Sequence, residues 1–256
     1  MRRISAGLIV IMSVLLVSCK GKTGNTITVG SDKLDNTQSY FSESMHTVAR
    51  CDSGYYYLNK CCASADNLMF YDDKSEESIV LCNKPQCGHD GEECMAYISG
   101  SEFKSELYYY NSYIYMISSK GNLVQISADG TQRTDLGSIC VLSGQDSVSM
   151  CFNDGYAYVS QEITGDIEGN VTVRLYRFNL DTGSSDKIYE ETGYGIGINS
   201  LKTYGSDTFF LKTSVSKDDK GLYSLEGKGI FRITGENTEC LLDKNVYSYC
   251  IDADNN

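Results

Sequence analysis

Three cysteines and one histidine stand within thirteen residues of the sequence, at Cys82, Cys87, His89 and Cys94. Thiolate sulfur and imidazole nitrogen are the donors that structural zinc sites use, and four of them complete a tetrahedron. The C-x4-C-x-H-x4-C spacing therefore predicts a Cys3His zinc site. Because all four donors are used and none of the positions stays open, the predicted role is structural.

The same thiols are also able to form disulfides in an oxidising compartment, with the adjacent pair Cys61 and Cys62 as further partners. This alternative leaves His89 without a role, and the residues alone do not decide between the two. Under either interpretation the segment 82–94 is a structural cross-link. Gly88 and Gly91 are expected to let the backbone fold around the four side chains.

The N-terminus has the organisation of a secretory signal. Two arginines precede a largely apolar run over residues 4–17, which is shorter than the roughly 20 residues of a membrane-spanning helix. Residues 16–19 read Leu-Val-Ser-Cys and resemble the lipobox of bacterial lipoproteins. The resemblance implies that residues 1–18 are a signal peptide and that Cys19 is lipidated before cleavage.

Residues 19–45 are polar and aperiodic, so we expect a lipidated N-terminus and a flexible tether there. The lipid chains of Cys19 suffice for stable anchoring. These features predict a protein held on the extracytoplasmic face of the cell membrane by its lipid anchor.

The predicted mature chain is strongly acidic. Removal of residues 1–18 takes away two of 22 basic residues and none of the 34 acidic ones, which leaves a net charge of −14. A field of this sign repels phosphate backbones, so nucleic acid is excluded as a partner.

An internal repeat predicts the fold. Alternating aromatic residues beside a turn recur at residues 52–58, 111–117, 153–159 and 205–211. Each segment is followed by a second apolar strand, at residues 68–71, 123–126, 175–178 and 230–233. Leading strands and Asp/Gly turns complete a four-stranded antiparallel meander, which is typical of a β-propeller blade. A β-sandwich, the alternative all-β fold, does not usually repeat one turn chemistry in this way.

The repeat also assigns the remaining cysteines and the limits of the folded part. Cys51, Cys151 and Cys250 occupy matching places on leading strands and are predicted core residues, whereas Cys140 and Cys240 have no assigned role. Residues 46–256 are predicted to hold about four blades, with the segment 82–94 between blades one and two. Residues 246–251 are predicted as the first strand of a fifth blade, so we expect the propeller to be incomplete in this chain. The alternative is that this strand closes a four-bladed ring by joining the first blade.

The lipobox, the aromatic repeat at residues 111–131 and the Cys/His segment at residues 81–97 together resemble a family of exported lipoproteins. These come from anaerobic Gram-positive bacteria and carry domains similar to TolB-like or YWTD-type six-bladed propellers. The resemblance implies a six-bladed parent fold, an extracytoplasmic location and no established activity.

We expect a binding module and not an enzyme. Neither His46 nor His89 belongs to a hydrolase or metalloprotease motif, and no phosphate-binding loop is present in the sequence. The expected ligand is an extracellular protein, peptide or glycan. Two alternatives stay open, namely a propeller-based extracellular enzyme that acts on glycan or peptide, and a passive envelope scaffold.

Overall fold

The computed structural model describes residues 47–249, apart from residues 101–102, 104–105, 166–168, 205–206 and 236. The predicted signal peptide, Cys19, the tether, His46 and Cys250 lie outside the described residues. No helix in the described part of the chain is long and apolar enough to cross a bilayer.

The strands form four antiparallel sheets that follow one another along the chain. The first contains β1 Val48–Cys51, β2 Gly54–Cys62, β3 Ala65–Asp72, β4 Glu77–Val80 and β5 Tyr97–Ser99. The second contains β6 Tyr108–Tyr110, β7 Tyr113–Ile117, β8 Asn122–Ser127 and β9 Arg133–Ser138. The third contains β10 Ser147–Asn153, β11 Tyr156–Thr164, β12 Asn170–Asn179 and β13 Ser185–Tyr194. The fourth contains β14 Gly197–Tyr204, β15 Asp207–Lys217, β16 Tyr223–Thr234 and β17 Asn237–Leu242.

Each sheet is a meander in which strands adjacent in sequence pair with one another. Tight turns of left-handed residues join the strands, as at Asn111 and Ser112 (φ 47° and 63°) and at Asp154 and Gly155 (φ 45° and 79°). Turns of this kind match the twist of antiparallel strands. The four sheets are called blades one to four below.

The blades stack face to face because both faces of each central sheet are apolar. In β6, Tyr109 belongs to a core shared with blade one, whereas Tyr108 and Tyr110 belong to a core shared with blade three. In β10, Phe152 lies in the core shared with blade two and Cys151 in the core shared with blade four. The period-two alternation of a strand thus divides its side chains between two neighbouring cores.

The leading strands contact one another in the order β1, β6, β10 and β14, so they form the inner edge of the stack. No sheet among the described strands closes on itself. The prediction of an all-β protein with four-stranded antiparallel propeller blades is confirmed by the four meanders and their radial packing.

Two features differ from the sequence prediction. The three-residue strand β5 pairs with β3 beside β4, which makes blade one five-stranded. Residues 246–249 form no strand, and the remainder of the predicted leading strand of a fifth blade lies outside the described residues. Tyr249 instead donates its hydroxyl to the carbonyl of Ser200 at 2.5 Å, which holds this segment against β14.

Candidate metal centre

The segment between β4 and β5 folds back on itself in two turns, and each turn ends in a cysteine. The amide of Cys87 donates to the carbonyl of Lys84 at 3.4 Å. The amide of Cys94 donates to the carbonyl of Gly91 at 2.9 Å. The left-handed residues of the segment are Gln86 and His89, with φ of 61° and 57°.

Gly88 and Gly91, the two glycines expected to let the backbone fold around the four side chains, do not adopt left-handed conformations. The reason is the position of the turns, because the chain reverses directly before Cys87 and at His89 itself. A histidine tolerates the left-handed region better than a branched side chain does.

The folded segment brings the four predicted ligands together. One ligand atom from each of Cys82, Cys87, His89 and Cys94 lies within 4.8 Å of all the others. Nδ1 of His89 is 3.3 Å from Sγ of Cys94. Cys94 is buried and the other three side chains are half-buried.

The thiols differ in their tendency to ionise. Burial is the main cause that raises the pKa of Cys94 to about 12, and the neighbouring Cys82 and Cys87 thiols raise it further. Burial also opposes ionisation of Cys82, but the backbone amides of Lys84 and Met95 lower the pKa of this thiol overall. Three thiols in one site repel each other as thiolates, and a bound cation removes this repulsion.

The segment is attached to both neighbouring blades. Cys82, Cys87 and Cys94 pack on the core shared by blades one and two. From blade two, the carbonyl of Gly130 accepts from the amide of Asn83 at 3.4 Å. A group held at these cysteines would therefore connect two blades.

The described cysteines are all free thiols, including the three in this segment. Elsewhere, Cys51 and Cys151 are buried on β1 and β10, as their matching repeat positions predicted. Cys140 is buried in the core between blades two and three, and Cys240 is exposed on β17.

A second feature, a cleft of about 150 Å³, lies between blades three and four. The inner strands β10 and β14 form its two walls, and β11 adds Ser160 and Glu162. The hydroxyls of Ser149 and Ser160 are 2.8 Å apart. Glu162 accepts a hydrogen bond from the amide of Ile198 at 3.1 Å, and burial raises the pKa of this carboxyl despite that bond.

Sequence reasoning missed this cleft because its walls are strands of different blades. Glu162 and Ile198 are 36 positions apart in the chain and become neighbours only when the blades stack. No local spacing in the sequence marks such a pair.

No family model and no curated protein matches the chain. Among solved structures, the tricorn protease is similar with a TM-score of 0.43 at 10% identity over 73% of this chain and 17% of that one. An oligogalacturonate lyase in complex with manganese has a TM-score of 0.35 at 10% identity over 75% and 62% of the two chains. For the quinohemoprotein alcohol dehydrogenase of Comamonas testosteroni, the TM-score is 0.41 at 12% identity over 84% and 35%.

The chain thus spans between 17% and 62% of the length of these three structures. The fold assignment rests on the sheets and cores described above and not on these similarities.

Proposed function

We propose that this protein is a lipid-anchored extracytoplasmic binding module whose first two blades are joined by a structural zinc ion. The main support for zinc is that the ligand atoms of Cys82, Cys87, His89 and Cys94 lie within 4.8 Å of one another. The ligand of the module is an extracellular protein, peptide or glycan, and the cleft between blades three and four is the place where we expect it to bind.

The donor set fits zinc in number and in size. Zinc–sulfur bonds of about 2.3 Å and zinc–nitrogen bonds of about 2.0 Å give a tetrahedron with edges of about 3.5–3.8 Å. The separation of 3.3 Å between Nδ1 of His89 and Sγ of Cys94 is close to such an edge, and no two ligand atoms of the set are more than 4.8 Å apart. Small side-chain shifts therefore complete the tetrahedron. When bound, the ion would neutralise the thiolates of Cys82, Cys87 and Cys94 and leave no position for a substrate.

Disulfide formation explains less of the geometry. A disulfide joins two sulfurs at about 2.05 Å, so it uses two of the three thiols, and the third has to pair outside the segment with Cys61 or Cys62. It also gives no reason for the imidazole of His89 to point at Cys94. Zinc uses every member of the set.

Metal analysis of the purified protein, combined with thiol titration under denaturing conditions, tests the zinc site. We expect one zinc ion per chain and free thiols at Cys82, Cys87 and Cys94 after chelation. A metal-free protein in which these three thiols are oxidised would overturn the zinc proposal in favour of the disulfide alternative.

The chemistry of the cleft favours binding over catalysis. Hydrolysis of a glycan usually needs two carboxyl groups on either side of the scissile bond, and Glu162 is the one acid among the residues that line the cleft. The hydroxyls of Ser149 and Ser160 and the amide of Asn199 offer hydrogen bonds to a polar ligand. An extracellular enzyme remains the alternative if turnover accompanies binding.

An array of immobilised glycans and a short-peptide library test the binding proposal. We expect Glu162→Gln to weaken binding of any captured probe at least tenfold, because the cleft loses its carboxylate. Asp219→Asn, which changes an exposed acid in the turn between β15 and β16, is the matched control. Equal binding by both variants would place the ligand elsewhere, and two blank libraries would favour a passive envelope scaffold.

The lipid anchor is tested by Cys19→Ala. We expect the wild-type protein to carry two acyl chains on Cys19 by mass spectrometry, and the variant to carry none and to keep residues 1–18, because lipidation precedes cleavage and a diacylated cysteine supplies the two anchoring chains. A wild-type protein without acyl chains on Cys19 would overturn the lipid anchor.

A further inference from the structure

The two adjacent cysteines at the tip of blade one are outside the metal centre and unused by the proposed function. Cys61 and Cys62 end strand β2, directly before the turn that leads to β3. Both are exposed, as are the two turn residues Ala63 and Ser64. Small molecules and other proteins therefore have access to both sulfurs.

A β-bulge falls at this pair. Lys60 pairs with Asp66, but the next pair joins Cys62 to Ala65, which leaves Cys61 as the extra residue. In a regular strand, neighbouring side chains point to opposite faces of the sheet. A bulge interrupts this alternation and re-aims a side chain. The bulge therefore allows the two thiols to lie on the same side of the sheet.

The surroundings of the two thiols affect how readily each one ionises. After desolvation, the neighbouring Cys62 is the main cause that raises the pKa of Cys61. The backbone amide and the hydroxyl of Ser64 are the main causes that lower the pKa of Cys62. Desolvation raises the pKa of the Tyr97 hydroxyl, and both thiols add to this effect.

We propose that Cys61 and Cys62 form a dithiol site that reacts with disulfides by thiol–disulfide exchange. Cys62 is the attacking thiolate, because the amide and hydroxyl of Ser64 surround its sulfur, with Sγ 3.7 Å from Oγ. Cys61 is the resolving thiol. The substrate class is a small or protein-borne disulfide that reaches the exposed tip.

The two steps balance without a further oxidant. The Cys62 thiolate attacks one sulfur of the substrate disulfide, which forms a mixed disulfide and releases the first substrate thiolate. The Cys61 thiolate then attacks the Cys62 sulfur and releases the second substrate thiolate. Two protein thiols lose two electrons, the substrate disulfide gains them, and the two thiol protons pass to the released thiolates.

The geometry suits reversible thiol–disulfide exchange better than a permanent disulfide bond. Adjacent Cα atoms are about 3.8 Å apart, whereas ordinary disulfides join Cα atoms about 4.4–6.8 Å apart. A disulfide between Cys61 and Cys62 is therefore strained and is readily reduced again when free thiol accumulates, so it forms while the released substrate thiol is scarce.

The sequence allows a direct test with glutathione disulfide as the probe. Trypsin releases both cysteines in one peptide, residues 61–74, which contains no other cysteine. After incubation with the probe and alkylation of the remaining thiols, we expect this peptide to lack two hydrogen atoms and to carry no alkyl group. Reduction with excess thiol should restore both alkylation sites.

The single variants separate the two roles. Cys61→Ser should accumulate a glutathionyl group on Cys62, because the resolving thiol is missing. Cys62→Ser should react at least tenfold more slowly, because the attacking thiol is missing. Both positions are exposed, so neither serine disturbs the core.

Cys240 is the matched control within the same protein, since it is exposed and stands alone in the tryptic peptide 233–244. It should give only a mixed disulfide with glutathione. Equal rates for the two serine variants, a stable glutathionyl group on the wild-type peptide 61–74, or pairing of Cys61 or Cys62 with a cysteine of the metal centre would each overturn the proposal.

Discussion

At the level of single residues, the candidate metal centre depends on which donor each side chain presents. The spacing of Cys82, Cys87, His89 and Cys94 predicted a cluster of four donors, and the structure brings these four side chains together. The backbone that gathers these side chains was not predictable, because nothing in the sequence distinguishes Gln86 and His89 as the left-handed residues. Local spacing therefore identifies donors, and the turn geometry that orients them comes from the structure.

His89 distinguishes the zinc proposal from the disulfide alternative, because only zinc binding uses its imidazole. We expect His89→Ala to weaken zinc binding at least tenfold, because one of four ligands is lost. His89→Cys should retain zinc, since it restores a fourth donor in the same backbone conformation. Competition with a chromogenic chelator measures both affinities. If His89→Ala bound zinc as tightly as the wild type, histidine would not be a ligand.

Glu106 gives the protein a pH dependence outside the metal centre. It accepts a hydrogen bond from the hydroxyl of Tyr108 at 2.5 Å, and burial raises the pKa of its carboxyl to about 7 in spite of this bond. A folded-state pKa above the unfolded value means that the contribution of this group to stability is full below about pH 4.5. The contribution is lost as the pH rises through about 7.

We therefore expect Glu106→Gln to be as stable as the wild type near pH 4.5 and more stable near pH 8. The difference at pH 8 should be on the order of 3 kcal/mol, because glutamine keeps an acceptor for Tyr108 without a buried charge. Urea unfolding at the two pH values measures it. Asp219→Asn, at an exposed acid, should leave the pH dependence of unfolding unchanged, and an unchanged dependence in Glu106→Gln would contradict the prediction.

At the level of strands and turns, the alternating aromatic segments predicted the blades. An alternating strand places side chains on both faces of its sheet, and both faces of a blade are buried against its neighbours. Strands β2, β7, β11 and β15 begin two or three residues after the start of the four aromatic segments that the sequence marks. Strand β5 was not predicted, because three residues beside a cysteine-rich loop show no usable period. Its pairing with Ala65, Asp66 and Asn67 follows from where the metal-centre segment returns to the sheet.

The turn between β8 and β9 supports the metal-centre segment from blade two. Gly130 has φ of +69°, and a Cβ built on it lies 2.7 Å from the carbonyl oxygen of Leu81, the residue before Cys82. Gly155 has a similar φ of +79° with nothing within 4 Å of the added Cβ. Both positions are therefore left-handed, but only at Gly130 would an added Cβ meet a neighbouring atom.

We expect Gly155→Ala to destabilise the protein by about 1 kcal/mol, the cost of a left-handed alanine. Gly130→Ala should cost about 1–3 kcal/mol more, because its methyl group displaces the backbone at Leu81. It should also weaken zinc binding, which Gly155→Ala should not. Thermal unfolding and chelator competition give the two measurements, and equal losses in both variants would show that the contact with Leu81 is unimportant.

At the level of the whole molecule, the described blades form a row of sheets joined by three successive cores. Each core is shared by two neighbouring blades. The metal centre belongs to the first core and the cleft borders the third, so the two sites lie at different ends of the row. In such an array, stability is a sum of blade terms and nearest-neighbour terms, as in other repeat proteins.

Phe210 tests this arrangement. It is fully buried in the core between blades three and four, where its ring stacks on Phe231 at a centroid distance of 5.3 Å. Phe210→Ala should cost about 3–5 kcal/mol, since it leaves a large cavity. If nearest-neighbour terms dominate, amide hydrogen exchange should accelerate most in β14–β17 and least in β1–β5, while zinc affinity stays within about twofold of the wild-type value. Exchange that accelerates by one common factor in all four blades would instead show that the row unfolds as a single unit, and that a ligand in the cleft stabilises the metal centre from the opposite end of the molecule.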